Sequence, residues 1–297
     1  MMQRKAAVVG GGRMGLAIGH LFATAGRLVT VVEPNAAVRT AAVERLRAIS
    51  QARGTGDGAL AITVVADLES VPPDAEIVIE AAPEYLELKM EIFARLDAHC
   101  SPQTILTTNT SAIPITRIAA AATHRERVVG THFWNPPYTV RLVEVVQAAE
   151  TSLPTIERTM QLLAEIGQEP VHVKRDIPGF IGNRMQHALK REAIALVQAG
   201  VCDAETVDFV VKHSFGARLG VMGPLEQSDL VGLDLTLAIQ SVLLSDLDVS
   251  NAPQQLLVDL VAAGKTGVKS GQGFHTWTEA KREALEKKLD ALHSTQE

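Results

Sequence analysis

Four polar side chains, His132, Glu144, Ser111 and Asn183, have the residue types needed to take a proton from a hydroxyl group and to steady the oxygen left behind. His132 stands in "THFWNPPYTVRLVEVV" (131–146), where a proline-rich loop follows it and Glu144 comes twelve residues later inside an apolar, strand-like run. A carboxylate buried in such a run costs several kcal/mol unless a charge or hydrogen bond meets it. The imidazole of His132 is the candidate partner. An imidazole titrates near neutrality, and a carboxylate on its far nitrogen fixes the tautomer and stabilises the imidazolium, so the pair has the form of an oriented general base. Ser111, in "TTNTSAIPIT", and Asn183, in "GFIGNR", supply donors that can hydrogen-bond an oxygen as its charge changes. Singly, each has a plainer reading. His132 would be a satisfied structural histidine, Ser111 an N-cap for "AIPITRIA", Asn183 a cap for the helix after it, and Glu144 an edge-strand charge facing water.

A second constellation lies at the start of the chain. "VVGGGRMG" places Gly10, Gly12 and Gly15 in G-x-G-x-x-G spacing after a short strand and at the start of a helix, with Arg13 and Met14 in the same turn. The three glycines allow a tight turn, backbone approach to a pyrophosphate and close helix–strand packing, and the helix N-terminus offers free N–H groups to phosphate. Glu33 ends the next strand about twenty residues on, where an acid binds ribose hydroxyls and repels a 2′-phosphate. The spacing therefore predicts a dinucleotide site that takes NAD rather than NADP.

The elements that must position these groups alternate between strand and helix. Residues 6–10, 28–33, 61–67, 75–83, 104–111, 128–134, 140–146 and 169–174 read as strands, several of them continuously apolar as buried parallel strands are. Helical patterns fill 13–25 and 84–98. The α/β alternation predicts an N-terminal Rossmann-type doubly wound sheet over 1–178, with Ser111 and His132 at the carboxyl ends of strands, where such sheets bind ligands. After "DIPGF" the pattern becomes helical, with Asp203 a candidate N-cap, which predicts an all-α C-terminal domain over 179–297. Its last helix carries Leu285, Leu289 and Leu292 as a narrow stripe suited to docking on the parent domain or on a second subunit.

Composition narrows the function further. A net charge of −6 and a hydrophobic content of 46% describe an ordinary globular protein and support neither nucleic-acid nor anionic-membrane binding. There is no run of about 18 apolar residues to span a membrane. Cys100 and Cys202 lie far apart, which suggests reduced thiols in a cytoplasmic protein, and no CxxC or HExxH spacing suggests a metal.

Taken in order, "NTSAIP", "HFWNP", "LVEVV", "PGFIGNR", "MGPLEQSDLVGLD" (222–234) and "GVKSGQGF" (267–274) resemble the motifs of the 3-hydroxyacyl-CoA dehydrogenase family over essentially residues 1–277. The resemblance implies an NAD-dependent oxidoreductase acting on a secondary alcohol, with His132 as base, Glu144 as its partner, and Ser111 and Asn183 on the substrate oxygen. By the same resemblance Asn135 lies near nicotinamide and substrate, Glu84, Lys89, Asn109 and Lys269 contact the cofactor, and the protein is a homodimer. Substrate class stays open. Acyl-CoA members carry a longer, lysine-rich helical hairpin between the second and third strands, whereas residues 34–60 here are short, lack lysine, and offer Arg39, Arg45, Arg47 and Arg53. "HFWNPPY" is similar to members acting on free hydroxy acids, such as lambda-crystallin/L-gulonate 3-dehydrogenase and carnitine dehydrogenases. A free hydroxy acid is therefore the first expectation, with Arg141 and Arg184 as candidate cations for its carboxylate. A 3-hydroxyacyl-CoA is the alternative, and a crystallin-like NAD-binding protein without activity is a remote one.

Overall fold

A computed structural model describes residues 3–55 and 61–294, and the chain divides into two compact units, Met1–Arg184 and Met185–Glu297. The first unit holds one eight-stranded sheet. Its strands are β1 (Lys5–Val9), β2 (Leu28–Val32), β3 (Ile62–Val65), β4 (Ile77–Glu80), β5 (Ile105–Thr108), β6 (Val128–Phe133), β7 (Leu142–Val146) and β8 (Glu169–Val173). The order across the sheet is β3-β2-β1-β4-β5-β6-β7-β8. The β1–β6 strands are parallel, as their apolar runs predict, but β6 and β7 form an antiparallel hairpin and β8 lies parallel to β7. Strand alternation alone does not reveal this reversal. The short loop 134–141 is too brief for a crossover helix, so the chain can only turn back on itself.

Helices cover both faces of the sheet. Alternate residues of β1 point opposite ways: Ala6 and Val8 join a core with Leu16, Phe22, Leu46 and Leu163, whereas Ala7 and Val9 join one with Phe93, Leu96 and Ile118. The first core is covered by α1 (Arg13–Thr24), α2 (Ala36–Arg53) and α5 (Leu153–Glu165), the second by α3 (Leu86–His99) and α4 (Ile115–Ala119). The α2 helix starts at Asn35, whose side chain accepts from Ala37 and Val38 N–H, and ends at Gly54 in the left-handed region.

The second unit is helical: α6 (Gly182–Gln198) leads into it, followed by α7 (Ala204–His213), α8 (Pro224–Val231), α9 (Leu233–Leu243), α10 (Gln255–Ala262) and α11 (Glu279–Ser294). Asp203 caps α7 through Thr206 N–H at 2.8 Å, as its position predicts. Among the described residues, α6–α10 bury no side chain, and Leu225, Leu230, Leu237 and Val242 are exposed. Leu285 and Leu289 on α11 are exposed too, and the Leu292 side chain lies outside the described residues. No described helix is long and apolar enough to cross a membrane.

One buried group makes the first unit acid-sensitive. His20 on α1 is fully buried; its Nε2 lies 3.2 Å from Ser50 Oγ, and Nδ1 has no partner among the described residues. Burial, aided by the charge of Arg53, lowers its pKa from 6.5 to about 4. As pH falls through 6.5 the unfolded chain takes up this proton before the folded one does, so stability is complete above that pH and declines until about pH 4. Replacing His20 by Gln is expected to flatten the slope of urea midpoint against pH between 6.5 and 4; equal slopes in the two proteins would remove His20 as a cause.

Candidate active site

The β6–β7 hairpin makes the central contact of the site. His132 and Glu144 are direct cross-strand partners, so their side chains share one face, and His132 Nδ1 lies 2.7 Å from Glu144 Oε2. Their exposures are only 4% and 1%, and β7 is covered on its far side by β8, which rules out a solvated edge charge. The second oxygen of Glu144 accepts Ile181 N–H at 2.9 Å and Gly182 N–H at 3.1 Å. Burial by itself raises the Glu144 carboxyl pKa, but the bonds from His132, Gly182 and Ile181 outweigh it and hold the group below its ordinary range. Glu144 is thus an anion with both oxygens committed. It orients the ring, and it also pins the turn from which α6 and Asn183 start.

The His132 ring lies between Trp134 and Phe180, at 5.2 Å and 5.5 Å between centroids. Phe180 is fully buried in the left-handed region at φ 51°. Gly182 is required beside it, because a Cβ there would meet the Trp134 ring at 2.3 Å. With Nδ1 engaged by Glu144, Nε2 makes no hydrogen bond with a described residue and is the nitrogen left for a proton acceptor's work.

Ser111 and Asn183 come together. Asn183 Nδ2 donates to the Ser111 carbonyl oxygen at 3.0 Å. Neither is a cap: α4 begins after Pro114, and Asn183 lies within the first turn of α6. Ser111 is exposed, in a turn just past the end of β5, so the strand expected over 104–111 stops short of it.

At the carboxyl end of β1, on the same edge of the parallel strands as the ends of β5 and β6, the glycine turn has the shape its spacing predicts. Gly10 has φ 112°, and a Cβ there would lie 2.6 Å from Ala81 O; a Cβ on Gly15 would lie 1.8 Å from Gly10 O. Gly12, the residue before α1, faces open space with nothing within 4 Å of an added Cβ. Glu33 Oε2 accepts Gly11 N–H at 2.9 Å, which brings its carboxylate to the turn. An open approach to free helix N–H groups, with an acid beside it, fits the pyrophosphate and ribose of NAD. When bound, NAD supplies the hydride acceptor.

The remaining residues expected at the cofactor are spread over both units. Met14 packs against the core, and Arg13 is exposed. Asn109 Oδ1 accepts Phe133 N–H at 2.9 Å, tying the end of β5 to β6 beside His132. Lys89, for which the resemblance implies cofactor contact, is only 1% exposed and donates to Glu80 Oε1 and Oε2 at 2.7 and 2.9 Å and to Ala82 O at 3.2 Å. Its ammonium is spent on the protein because Glu80, fully buried at the end of β4, has to be neutralised. Glu84 binds the turn that carries Ser111. Lys269 is exposed on a 3₁₀ turn, Val268–Ser270, of the second unit. Of the candidate cations for a carboxylate, Arg141 is engaged by Gly167 O at 2.9 Å and Glu169 at 3.5 Å, and Arg184 lies at Pro178 O.

Glu80 also shapes the site, and its signal is in the sequence: "AEIVIEAAP" encloses a carboxylate in an apolar strand just as "RLVEVV" does. A cavity of about 420 Å³, lined by Arg13, Leu16, Arg45, Ile49, Asn135 and Tyr138 among others, was not anticipated at all. It joins α1, α2 and the loop after His132. Asn135, which precedes a cis proline, is exposed on that wall.

The geometry sets an expectation for His132→Ala. NADH formation should fall by about 10²–10⁴-fold, the usual share of general acid–base catalysis, while NAD affinity measured by fluorescence titration holds. Glu144→Gln should also cost about 10²-fold or more, since an amide misdirects the tautomer. Wild-type turnover in either variant would remove the pair from the chemistry.

Models of the 3-hydroxyacyl-CoA dehydrogenase NAD-binding and C-terminal domains match residues 5–177 and 179–277. The chain is 33% identical over 295 residues to the 5-formyl-3-hydroxy-2-methylpyridine 4-carboxylate 5-dehydrogenase of Mesorhizobium japonicum, covering 96% of this chain and 94% of that one. It is 38% identical over 283 residues to a probable 3-hydroxybutyryl-CoA dehydrogenase of Bacillus subtilis, covering 92% and 96%. A crystal structure of the pyridine-carboxylate 5-dehydrogenase, described as an NAD+-dependent dismutase, is similar with a TM-score of 0.89 at 32% identity, covering 98% of this chain and 97% of that one. Matched across both units, with the buried histidine–glutamate pair and the open glycine turn in place, the chain belongs to the 3-hydroxyacyl-CoA dehydrogenase family and is an NAD-dependent dehydrogenase acting on a CH–OH group.

Proposed function

We propose that the substrate is a small 3-hydroxy acid, a secondary alcohol bearing a free carboxylate, and that His132 is the base that takes its hydroxyl proton. The observation that carries this reading is the cavity beside Asn135. Arg45 and Arg13 line it without an ion pair to any described residue, and its remaining wall is largely apolar. At about 420 Å³ it is within the range of small-ligand sites, which bury an apolar body and fix it by a few polar groups. Arg45 is the cation for the carboxylate, with Arg13, at the start of α1, on the same lining. Nε2 of His132 accepts the hydroxyl proton, Glu144 stabilises the resulting imidazolium, and Ser111 and Asn183 hold the substrate oxygen.

Two further features favour a free acid. The interval between β2 and β3 is short and lacks lysine, unlike the longer lysine-rich hairpin of acyl-CoA members. The Mesorhizobium relative is named for a carboxylate rather than a thioester. A 3-hydroxyacyl-CoA is the second reading, favoured by relatives named for 3-hydroxybutyryl-CoA. A non-catalytic NAD-binding role is disfavoured because all four polar groups are present.

The assembly belongs to the same proposal. The uncovered leucines and valines of α8 and α9 exceed the scattered apolar exposure normal for a monomer, and a second copy of the chain, meeting them about a two-fold axis, is their occupant. Free Cys100 and Cys202 support a cytoplasmic setting.

Side-by-side rates of NADH formation with 3-hydroxybutyrate, carnitine, gulonate and 3-hydroxybutyryl-CoA are expected to favour a free acid. Arg45→Ala should then raise KM for that acid by about tenfold, near 1.4 kcal/mol, with little change in kcat. Preference for the thioester, with Arg45→Ala silent, would put the second reading in its place. Light scattering should return about twice the chain mass of 31.8 kDa; a monomer at micromolar concentration would overturn the assembly.

A further inference from the structure

Under the turn that carries Ser111 lies a row of charges that the acid–base step does not use. Glu80 and Lys89 form its buried base, with Thr108 Oγ1 donating to Glu80 Oε2 at 2.6 Å and Ala82 N–H donating to Oε1 at 2.6 Å. From there the row rises to Glu84, whose Oε2 lies 3.3 Å from the Lys89 ammonium. The other oxygen of Glu84 accepts three hydrogen bonds from one short stretch: the Thr110 hydroxyl, Ser111 N–H at 3.1 Å and Ala112 N–H at 3.3 Å. Thr110 is itself buried, and its hydroxyl oxygen accepts Ile113 N–H at 3.0 Å, closing the turn. A single carboxylate oxygen thus satisfies two successive backbone donors and a buried hydroxyl, in a turn that otherwise has only Asn183 to hold the Ser111 carbonyl.

We propose that Glu84 is a positioning residue for Ser111: held by Lys89, its carboxylate seats the 110–112 turn so that the Ser111 hydroxyl faces the substrate oxygen. The assignment rests on the role given above to Ser111, and it differs from the cofactor contact that the family resemblance implies for Glu84. The anionic state it needs is maintained. Burial pushes the Glu84 carboxyl up, but the Thr110 hydroxyl, the Lys89 charge and the Ala112 and Ser111 N–H groups outweigh it and hold it below its ordinary range. Glu84 is suited to substitution because its side chain is 43% exposed, whereas removing Lys89 would leave Glu80 buried without a counter-ion.

A double-mutant cycle on the full-length enzyme tests this, with kcat and KM for the hydroxy acid and NADH affinity read separately. Ser111→Ala is expected to lower kcat by about 10²-fold, as loss of one oxyanion donor does, and Glu84→Ala by about tenfold, both with NADH affinity within twofold of wild type. The doubly substituted enzyme should be no slower than Ser111→Ala, because a turn without its hydroxyl has nothing left to aim. Glu84→Gln, whose amide oxygen still accepts the two N–H groups, should recover part of the loss. If the two losses multiply, or if Glu84→Ala weakens NADH binding tenfold while kcat holds, Glu84 acts independently of Ser111 and the positioning role is overturned. If Ser111→Ala turns over like wild type, the substrate role of Ser111 fails, and this assignment with it.

Discussion

A carboxylate taken out of water inside a sheet must be matched by charge or by hydrogen bonds, and the way Glu144 is matched organises the rest of the first unit. One oxygen meets His132 Nδ1 across an antiparallel pair, where register alone brings the two side chains to the same face. The other accepts the backbone of Ile181 and Gly182. The desolvation penalty of one acid is thereby offset by contacts that do three separate things: they set the imidazole tautomer, leave Nε2 outward, and fix where α6 begins. Asn183 reaches Ser111 only because that helix starts where Glu144 holds it.

Buried charge is used in the same way at the end of β4. Glu80 and Lys89 lie beneath the turn that carries Ser111 as Glu144 and His132 lie beneath the start of α6, and in each case a carboxylate in a strand organises the loop above it. Such pairs contribute little net stability compared with an apolar replacement. Their value lies in geometry, since a turn held by ionic hydrogen bonds presents its side chains in one orientation. The glycine turn has a strand-end carboxylate as well, Glu33 accepting Gly11 N–H, but no buried counter-charge among the described residues. Its shape follows from steric necessity, with Gly15 pressed on Gly10 and Gly10 on the Ala81 carbonyl.

Legibility followed the range of the interactions. Glu144 stood out because one acid in an apolar run calls for a partner, and the glycine turn stood out because its function is local. Glu80 obeys the same logic and was passed over, since its partner lies in a helix whose lysine looks solvated in a linear reading. Asn109, implied as a cofactor contact by the family resemblance, also bridges two strand ends, a role visible only once β5 and β6 are side by side. Arg141 follows the catalytic motif closely in sequence but turns toward Gly167 and Glu169, while Arg45, far from that motif, lines the cavity.

What the chain declares by itself is whatever depends on residue type and short spacing: the dinucleotide turn with an acid at the end of the next strand, the apolar strands, and the change to an all-helical second half. What only tertiary structure decided is which way strands run and which distant charges meet. The Glu84 grip on the Ser111 turn and the arginine-lined cavity join segments tens of residues apart, and the β6–β7 reversal sets a strand direction that apolar patterning leaves open. Local patterning specifies which face of a strand or helix is apolar. Only packing of the whole sheet determines which polar groups are then left without water and must find each other.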